Sequence, residues 1–282
     1  RYLRESGGHL QGLLRGEVDP LDLLFPQGTM DTAVAAYNDN LVNRCMNAVV
    51  CAAVREIAQN RKHPRDSKRP LRILEIGAGV GGTSRALIPA VAEFPVDYFY
   101  SDVSPFFLNA ARERHANHPW VRYGLFDLNQ DYVSQGLQAA SWDVIVCSNV
   151  LHNAHHAPTV LSRLRELGAP GCTLVVIEAT REIAALMTSM EFQTGLSGFT
   201  DEREALDQTF FTRDQWEHLF TEAHGDILCA YPPPDDAVAS VGQVAFVPIA
   251  GVPLQQHPAL VVGKPLVVRE LARRSSGVRR HA

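Results

Sequence analysis

The stretch Leu71-Arg72-Ile73-Leu74-Glu75-Ile76-Gly77-Ala78-Gly79-Val80-Gly81-Gly82 passes from a short apolar run into a glycine-rich turn, and a helical pattern from about Thr83 to Ala92 follows it. A strand that enters a helix through glycines lets the backbone turn sharply and approach a ligand where a Cβ would clash. Gly77, Gly79 and Gly82 by themselves also fit the three positions of a dinucleotide fingerprint. Glu75 discriminates: an acid at the mouth of the first strand repels a pyrophosphate, but it suits a cationic amino-acid cofactor whose ammonium it can hold directly or through water.

Outward from this turn, β-rich and helical runs alternate. Val96 to Tyr100 reads as a second strand, and Ser104-Pro105 as an N-cap with proline at the first helical position, opening a helix to about Ala116. Val121 to Phe126 and Trp142 to Cys147 are the third and fourth strands. A helix from Thr159 to Leu167 and a turn at Ala169-Pro170-Gly171 lead to the fifth, Cys172 to Ile177. Thr212 and Gln215 have capping-box spacing and predict a helix from Arg213 to about Ala223. Ile227 to Tyr231 and Gln243 to Val247 then fit an antiparallel hairpin closing the sheet. The alternation predicts a parallel sheet with helices on both faces and a ligand at the strands' carboxyl ends. The late hairpin separates methyltransferases from dehydrogenases, whose extra strand is parallel.

Upstream, the stripe Leu41, Val42, Cys45, Met46, Val49, Val50, Ala53, Val54 and Ile57 predicts an amphipathic helix over 40–59, lying on the core. The expected organisation is a helical lid and linker over 1–69, a core over 70–250 with a lid insertion at about 181–210, and a C-terminal linker over 251–282. The chain opens on Arg1 rather than Met, and a segment of something larger is the expectation. With 46% hydrophobic and 20% charged residues among 282, the composition is that of a soluble globular protein. No run reaches membrane-span length and no leader pattern is visible, so a cytoplasmic location is expected. The formal charge of −5 argues against a nucleic-acid partner. The basic run Arg61 to Arg69 reads as a solvated linker, with a docking patch for an acidic partner as the alternative. Five scattered cysteines without a CxxC pair support neither disulfides nor zinc.

Three acids close three successive strands. Besides Glu75, Asp102 stands 25 residues after Gly77, near the interval at which a carboxylate meets ribose hydroxyls. Asp127 is placed to accept from an adenine amino group, with the Leu128 backbone beside it. Val103 and Asn149 complete the candidate cofactor-binding set of Glu75, Gly77, Gly79, Asp102, Asp127 and Leu128. Each acid alone could be a cap or a turn residue.

The runs RILEIGAGVGGTS (72–84), YSDVSPFFLNAARER (100–114), SNVLHNAHH (148–156) and PGCTLVVIEAT (170–180) resemble methyltransferase domains of modular polyketide synthases and their nonribosomal hybrids. LRGEVDPLDLLFPQG (14–28) is similar to the lid of those domains. The resemblance implies a Rossmann-like class I core with a seven-stranded, mostly parallel sheet and S-adenosylmethionine as cofactor. It also implies a substrate tethered by phosphopantetheine to an acyl carrier protein, and neighbouring synthase domains as partners. The segments 179–204 and 207–216 look more similar to the branch that methylates a hydroxyl, which makes O-methylation of a β-hydroxyl or enol the leading expectation. C-methylation of the α-carbon of a β-ketoacyl chain is its rival.

Methyl transfer needs an aligned acceptor whose proton is removed. His152, just after the fourth strand, is the candidate general base, and Glu178, at the end of the neighbouring fifth strand, is the group that would fix its tautomer. The resemblance places the family's histidine–glutamate dyad on the same two residues. Taken singly, His152 could be an idle loop histidine and Glu178 a salt-bridging acid. His152, His155 and His156 invite a metal reading, but no carboxylate stands at a ligand spacing and the chemistry needs no Lewis acid, so no metal is expected. Tyr37, Met190, Phe192 and Phe199 are candidates for the acceptor tunnel, with plain lid packing as the alternative. A silent architectural domain and a nicotinamide-dependent reductase are the remaining readings. Glu75 and the hairpin disfavour the second.

Overall fold

The computed structural model describes residues 2–38, 40–60, 69–184, 187 and 195–249. Its centre is a seven-stranded sheet of β1 (Leu71–Ile76), β2 (Val96–Asp102), β3 (Val121–Leu125), β4 (Trp142–Ser148), β5 (Gly168–Ala179), β6 (Ile227–Tyr231) and β7 (Gln243–Pro248). The strands lie in the order β3-β2-β1-β4-β5-β7-β6. The first five pair in parallel; β7 runs antiparallel to β5, and β6 antiparallel to β7. The expected late hairpin is therefore present, and its second strand is the one that joins the sheet. Strand order reverses between β1 and β4, which opens a crevice at their carboxyl ends.

Parallel strands buried on both faces read as nearly continuous apolar runs, as β1 and β4 do. Side chains alternate between faces. Leu74, Ile76, Ile145, Cys147, Leu174 and Val176 pack on one side against α8 (Ala157–Leu167) and the later helix Arg213–His224, whose Trp216 and Phe220 are fully buried. Leu71, Ile73, Val144, Val146, Val175 and Ile177 face the other side. There they meet α5 (Leu41–Gln59), α6 (Ser84–Val91) and α7 (Pro105–Arg114). The capping box read from Thr212 and Gln215 is formed in both directions.

Ahead of α5 lie the short helices α1 (Tyr2–Gly8), α2 (Leu10–Leu14), α3 (Pro20–Leu24) and α4 (Asp31–Tyr37). They carry their own small cluster, in which Tyr2, Leu24 and Ala33 bury Val80 of the glycine turn, and Phe25 meets Phe106 and Phe107 of α7. These helices, which fall within the stretch expected to form a lid, pack against the glycine turn. The fifth strand departs from its expected start. Ala169-Pro170-Gly171 is not a turn ahead of the strand but a bulge inside β5, because Gly168 pairs Trp142 while Thr173 pairs Val144. Gly171 takes φ 79°, which lets the extra residues loop out. Arg69, read as part of a solvated run, forms a fork on Asp143 at 2.9 and 3.1 Å. The rest of that run, 61–68, and the expected linker over 251–282 lie outside the described residues. No described helix is long and apolar enough to cross a membrane.

Candidate active site

The glycine turn is held open by its neighbours. Gly77 and Gly79 have φ of 62° and 54°, a region that side-chain-bearing residues rarely adopt. Asp102 at the end of β2 accepts the Gly79 N–H at 2.8 Å and the Ser104 N–H at 2.8 Å, and the Tyr100 hydroxyl donates to the Gly79 carbonyl at 2.7 Å. Asn47 of α5 donates to the Gly82 carbonyl at 2.9 Å and accepts from the Thr83 hydroxyl. Helix α5 and the turn are thereby fixed together.

Glu75 is 1% exposed and accepts a hydrogen bond from the Tyr98 hydroxyl at 2.8 Å. No basic side chain pairs with it among the described residues. Burial pushes its carboxyl up to about 7, against the pull of the tyrosine hydrogen bond. An ammonium group beside it would supply the missing counter-charge. The donor set therefore fits the amino-acid end of S-adenosylmethionine.

Across the crevice, Asn149 turns the chain with φ 53°, a left-handed conformation that asparagine tolerates better than most residues, and its N–H bonds the Ile177 carbonyl at 2.7 Å. The 3₁₀ turn Leu151–Asn153 follows. Glu178, fully buried, accepts the N–H of Val150 at 2.9 Å and of Leu151 at 2.7 Å on one oxygen, and meets His152 Nδ1 at 2.7 Å on the other. An ionised glutamate there makes Nδ1 the protonated nitrogen, which leaves Nε2 with the free lone pair. The Phe210 ring packs edge-on against the imidazole at 5.2 Å between centroids.

A cavity of about 500 Å³ joins the two sides, lined by Tyr37, Glu75, Gly77, Gly79, Asn149 and His152 among others. Of the residues singled out from sequence, these six come together. Asp102, Val103, Asp127 and Leu128 do not reach its wall. Asp102 supports the glycine turn, Val103 is exposed beside it, Leu128 packs in the core, and Asp127 caps its own turn by accepting the Asn129 N–H at 2.9 Å. Burial, reinforced by the neighbouring Tyr2, pushes the Tyr37 phenol up to about 12, so it stays a protonated donor at the rim. Phe199 lies over the Arg203 guanidinium instead of lining the cavity. Met190 and Phe192 lie outside the described residues. His156 caps α8, accepting the Thr159 N–H at 3.2 Å, and no group of three metal-binding side chains is gathered among the described residues.

Phe210, Asn153 and Gln243 on the cavity wall, and the buried Arg203 behind it, have no counterpart in the sequence reading. Gln243 is the first residue of β7 and donates to the Asn149 side chain at 3.1 Å. The pairing of β7 with β5 is what brings it there, and no local motif announces it.

A Rossmann-like sheet closed by an antiparallel hairpin, with an acid behind its glycine turn, defines the methyltransferase class. Residues 74–174 match the family described as a methyltransferase domain. Pyochelin synthetase PchF of Pseudomonas aeruginosa is 36% identical over 246 residues, 86% of this chain and 13% of that protein. Polyketide synthase 19 of Gibberella fujikuroi is 31% identical over 218 residues, 77% of this chain and 8% of that protein. The crystal structure of the CurJ carbon methyltransferase superposes with a TM-score of 0.79 at 33% identity, covering 89% of this chain and 66% of that one. The chain thus spans only a small part of the synthases it matches. It belongs to the S-adenosylmethionine-dependent methyltransferase domains of the polyketide synthase type.

Proposed function

We propose that the domain methylates the α-carbon of a β-ketoacyl intermediate held as a phosphopantetheine thioester on an acyl carrier protein, within a synthase whose neighbouring domains make and pass on that chain. The observation that carries the reading is the buried His152–Glu178 pair at 2.7 Å on the wall of the cavity that also contains Glu75. Two considerations favour carbon over the oxygen expected from sequence. The CurJ structure, described as a carbon methyltransferase, is similar at 33% identity. A carbon between two carbonyls is also a far stronger acid than a secondary alcohol, so an imidazole suffices to remove its proton.

When bound, S-adenosylmethionine supplies an electrophilic methyl on a sulfonium, which departs as a neutral thioether. His152 Nε2 takes the α-proton and leaves the C–H electron pair on the enolate, whose carbon would accept that methyl as the C–S bond breaks. Glu178 holds Nδ1–H and stabilises the imidazolium without itself moving a proton. The side-chain amides of Asn149, Asn153 and Gln243, all on the cavity wall, are within the same space and suit the carbonyl oxygens on which enolate charge grows. Glu75 would hold the donor's ammonium. The apolar wall of Ile177 and Phe210 excludes water from the reacting groups.

O-methylation is the second reading, favoured by the similarity of 179–204 and 207–216 to hydroxyl-methylating domains. Incubation with S-adenosylmethionine and matched β-keto and β-hydroxy acyl carriers, followed by fragmentation mass spectrometry, separates the two. A methyl on C2 of the β-keto chain is expected. A methyl on oxygen of the β-hydroxy chain overturns the carbon assignment, and cofactor binding without transfer to either carrier favours an architectural domain.

A further inference from the structure

The turn that carries His152 is gripped from two sides. Its amide side belongs to Glu178 through Val150 and Leu151. Its carbonyl side belongs to Arg203, which is 0% exposed. Arg203 Nη1 donates to the His152 carbonyl at 2.8 Å, and Nη2 to the Ala154 carbonyl at 2.5 Å. Asp201 balances the buried charge, meeting Nε at 2.8 Å and Nη2 at 2.7 Å, and also accepts the Ala157 N–H at 2.9 Å, which ties the start of α8 to the same group.

Burying a guanidinium costs more than a packed apolar side chain of the same volume, so its retention calls for what its donors hold in place. The guanidinium is sandwiched between Phe199 at 3.7 Å and Phe211 at 4.5 Å, and Phe210, next in sequence to Phe211, presses on the imidazole edge. Arg203 therefore holds the base directly through the His152 carbonyl, and packs on the ring next in sequence to the one that touches the imidazole. We propose that Arg203, paired with Asp201, is a positioning residue that sets the distance and angle of His152 against Glu178 and against the acceptor. The proposal rests on the assignment of His152 as base, and only its kinetic arm depends on methyl transfer.

The test compares the wild-type chain with R203K, which keeps the charge but loses the fork, and with D201N/R203M, which removes both charges together and strands neither. In S-adenosylmethionine-bound protein, the Nδ1 proton of His152 is followed by NMR and identified by its loss in H152A. We expect that proton to move upfield or broaden in both variants, further in the double variant. The rate constant kcat should fall by about 10–100-fold, the penalty of a base displaced by about 1 Å, with affinity for S-adenosylmethionine within about twofold of wild type. R203K should recover part of the loss seen in the double variant. An unchanged resonance and kcat in either folded variant overturns the proposal, as does a parallel loss of kcat, cofactor affinity and thermal stability. If the double variant does not fold, R203K decides by the same readings. A moved resonance in a protein that transfers methyl to no carrier upholds the positioning role and overturns the methylation reading instead.

Discussion

Two glutamates stand at the carboxyl ends of strands on either side of β4, Glu75 on β1 and Glu178 on β5, and both are shut off from solvent. They differ in what surrounds the carboxylate. Glu178 has two backbone N–H groups and an imidazole, a set complete within the protein. Glu75 has the Tyr98 hydroxyl, with Ser84 beside it, and no positive charge among the described residues, and burial raises its proton affinity. A buried carboxylate with its partners in place is a fixed part of a device, whereas one left short of a counter-charge is built for a partner that comes and goes. The contrast supports the proposed reading, in which the β5 side serves proton transfer and the β1 side a cationic ligand.

The largest effect should come from breaking the complete side. His152→Ala is expected to lower kcat by about 10²–10⁴-fold, the usual contribution of a general base, while S-adenosylmethionine still binds. Turnover at the wild-type rate on an acyl carrier removes His152 from the chemistry. Glu178→Ala should lower kcat too, since it releases Nδ1–H, and should register in stability besides. It leaves the N–H groups of Val150 and Leu151 unpaired in a dry site, at about 1–3 kcal/mol each, which denaturant unfolding at neutral pH can measure.

The incomplete side should respond to pH. The folded carboxyl of Glu75 sits near 7, above its ordinary 4.5, so its contribution to stability is fully present below 4.5 and is lost as pH rises through 7. Without ligand, wild type should lose about 3 kcal/mol relative to Glu75→Gln between pH 4.5 and 8, read from urea midpoints. With S-adenosylmethionine the order reverses. The ammonium favours the ionised form, so binding near pH 7 should release a proton, seen as a dependence of calorimetric heat on the buffer's ionisation enthalpy. The Gln variant should release none and should bind about 10–100-fold more weakly, the worth of one charge-assisted hydrogen bond. A flat stability difference across that range would remove the contrast between the two acids.

The same contrast governs what could be read from sequence. The β1 side is made of neighbours in the chain: strand, acid and glycines lie within Leu71–Gly82, so periodicity and turn chemistry disclose it. His152 and Glu178 are legible for a similar reason, since one follows and the other ends a strand of a recognisable pattern. Arg203 and Phe210 come from a segment about 50 residues beyond His152, expected only as part of a lid insertion. Nothing local distinguishes a guanidinium sandwiched between rings from one in water. The β5 bulge was hidden similarly, because Pro170-Gly171 signals a break in pairing but not that the strand resumes on both sides of it. Asp102 was legible as a strand-end acid, yet its observed partners are the N–H groups of Gly79 and Ser104, local geometry that spacing to Gly77 does not reveal.

The smallest expected effect joins the two halves. A Cβ on Gly77 would lie 2.2 Å from Val150 Cγ2, and its φ of 62° is strained for alanine. Val150 must therefore move, and its N–H is one of those held by Glu178. Gly77→Ala should cost about 1–3 kcal/mol in unfolding free energy from backbone strain and crowding. Weaker cofactor binding alone would be the outcome if the glycine turn served only the β1 side. Because the displaced residue is Val150, a drop in kcat at saturating S-adenosylmethionine is expected as well. The companion variant Val150→Ala removes the methyl 2.2 Å away and keeps the N–H, with its own Cβ, 2.8 Å away, left to give by a smaller shift. Combined with Gly77→Ala it should restore kcat more fully than it restores cofactor affinity, since φ at position 77 stays strained. Equal recovery of both would mean that the two sides are not mechanically separate.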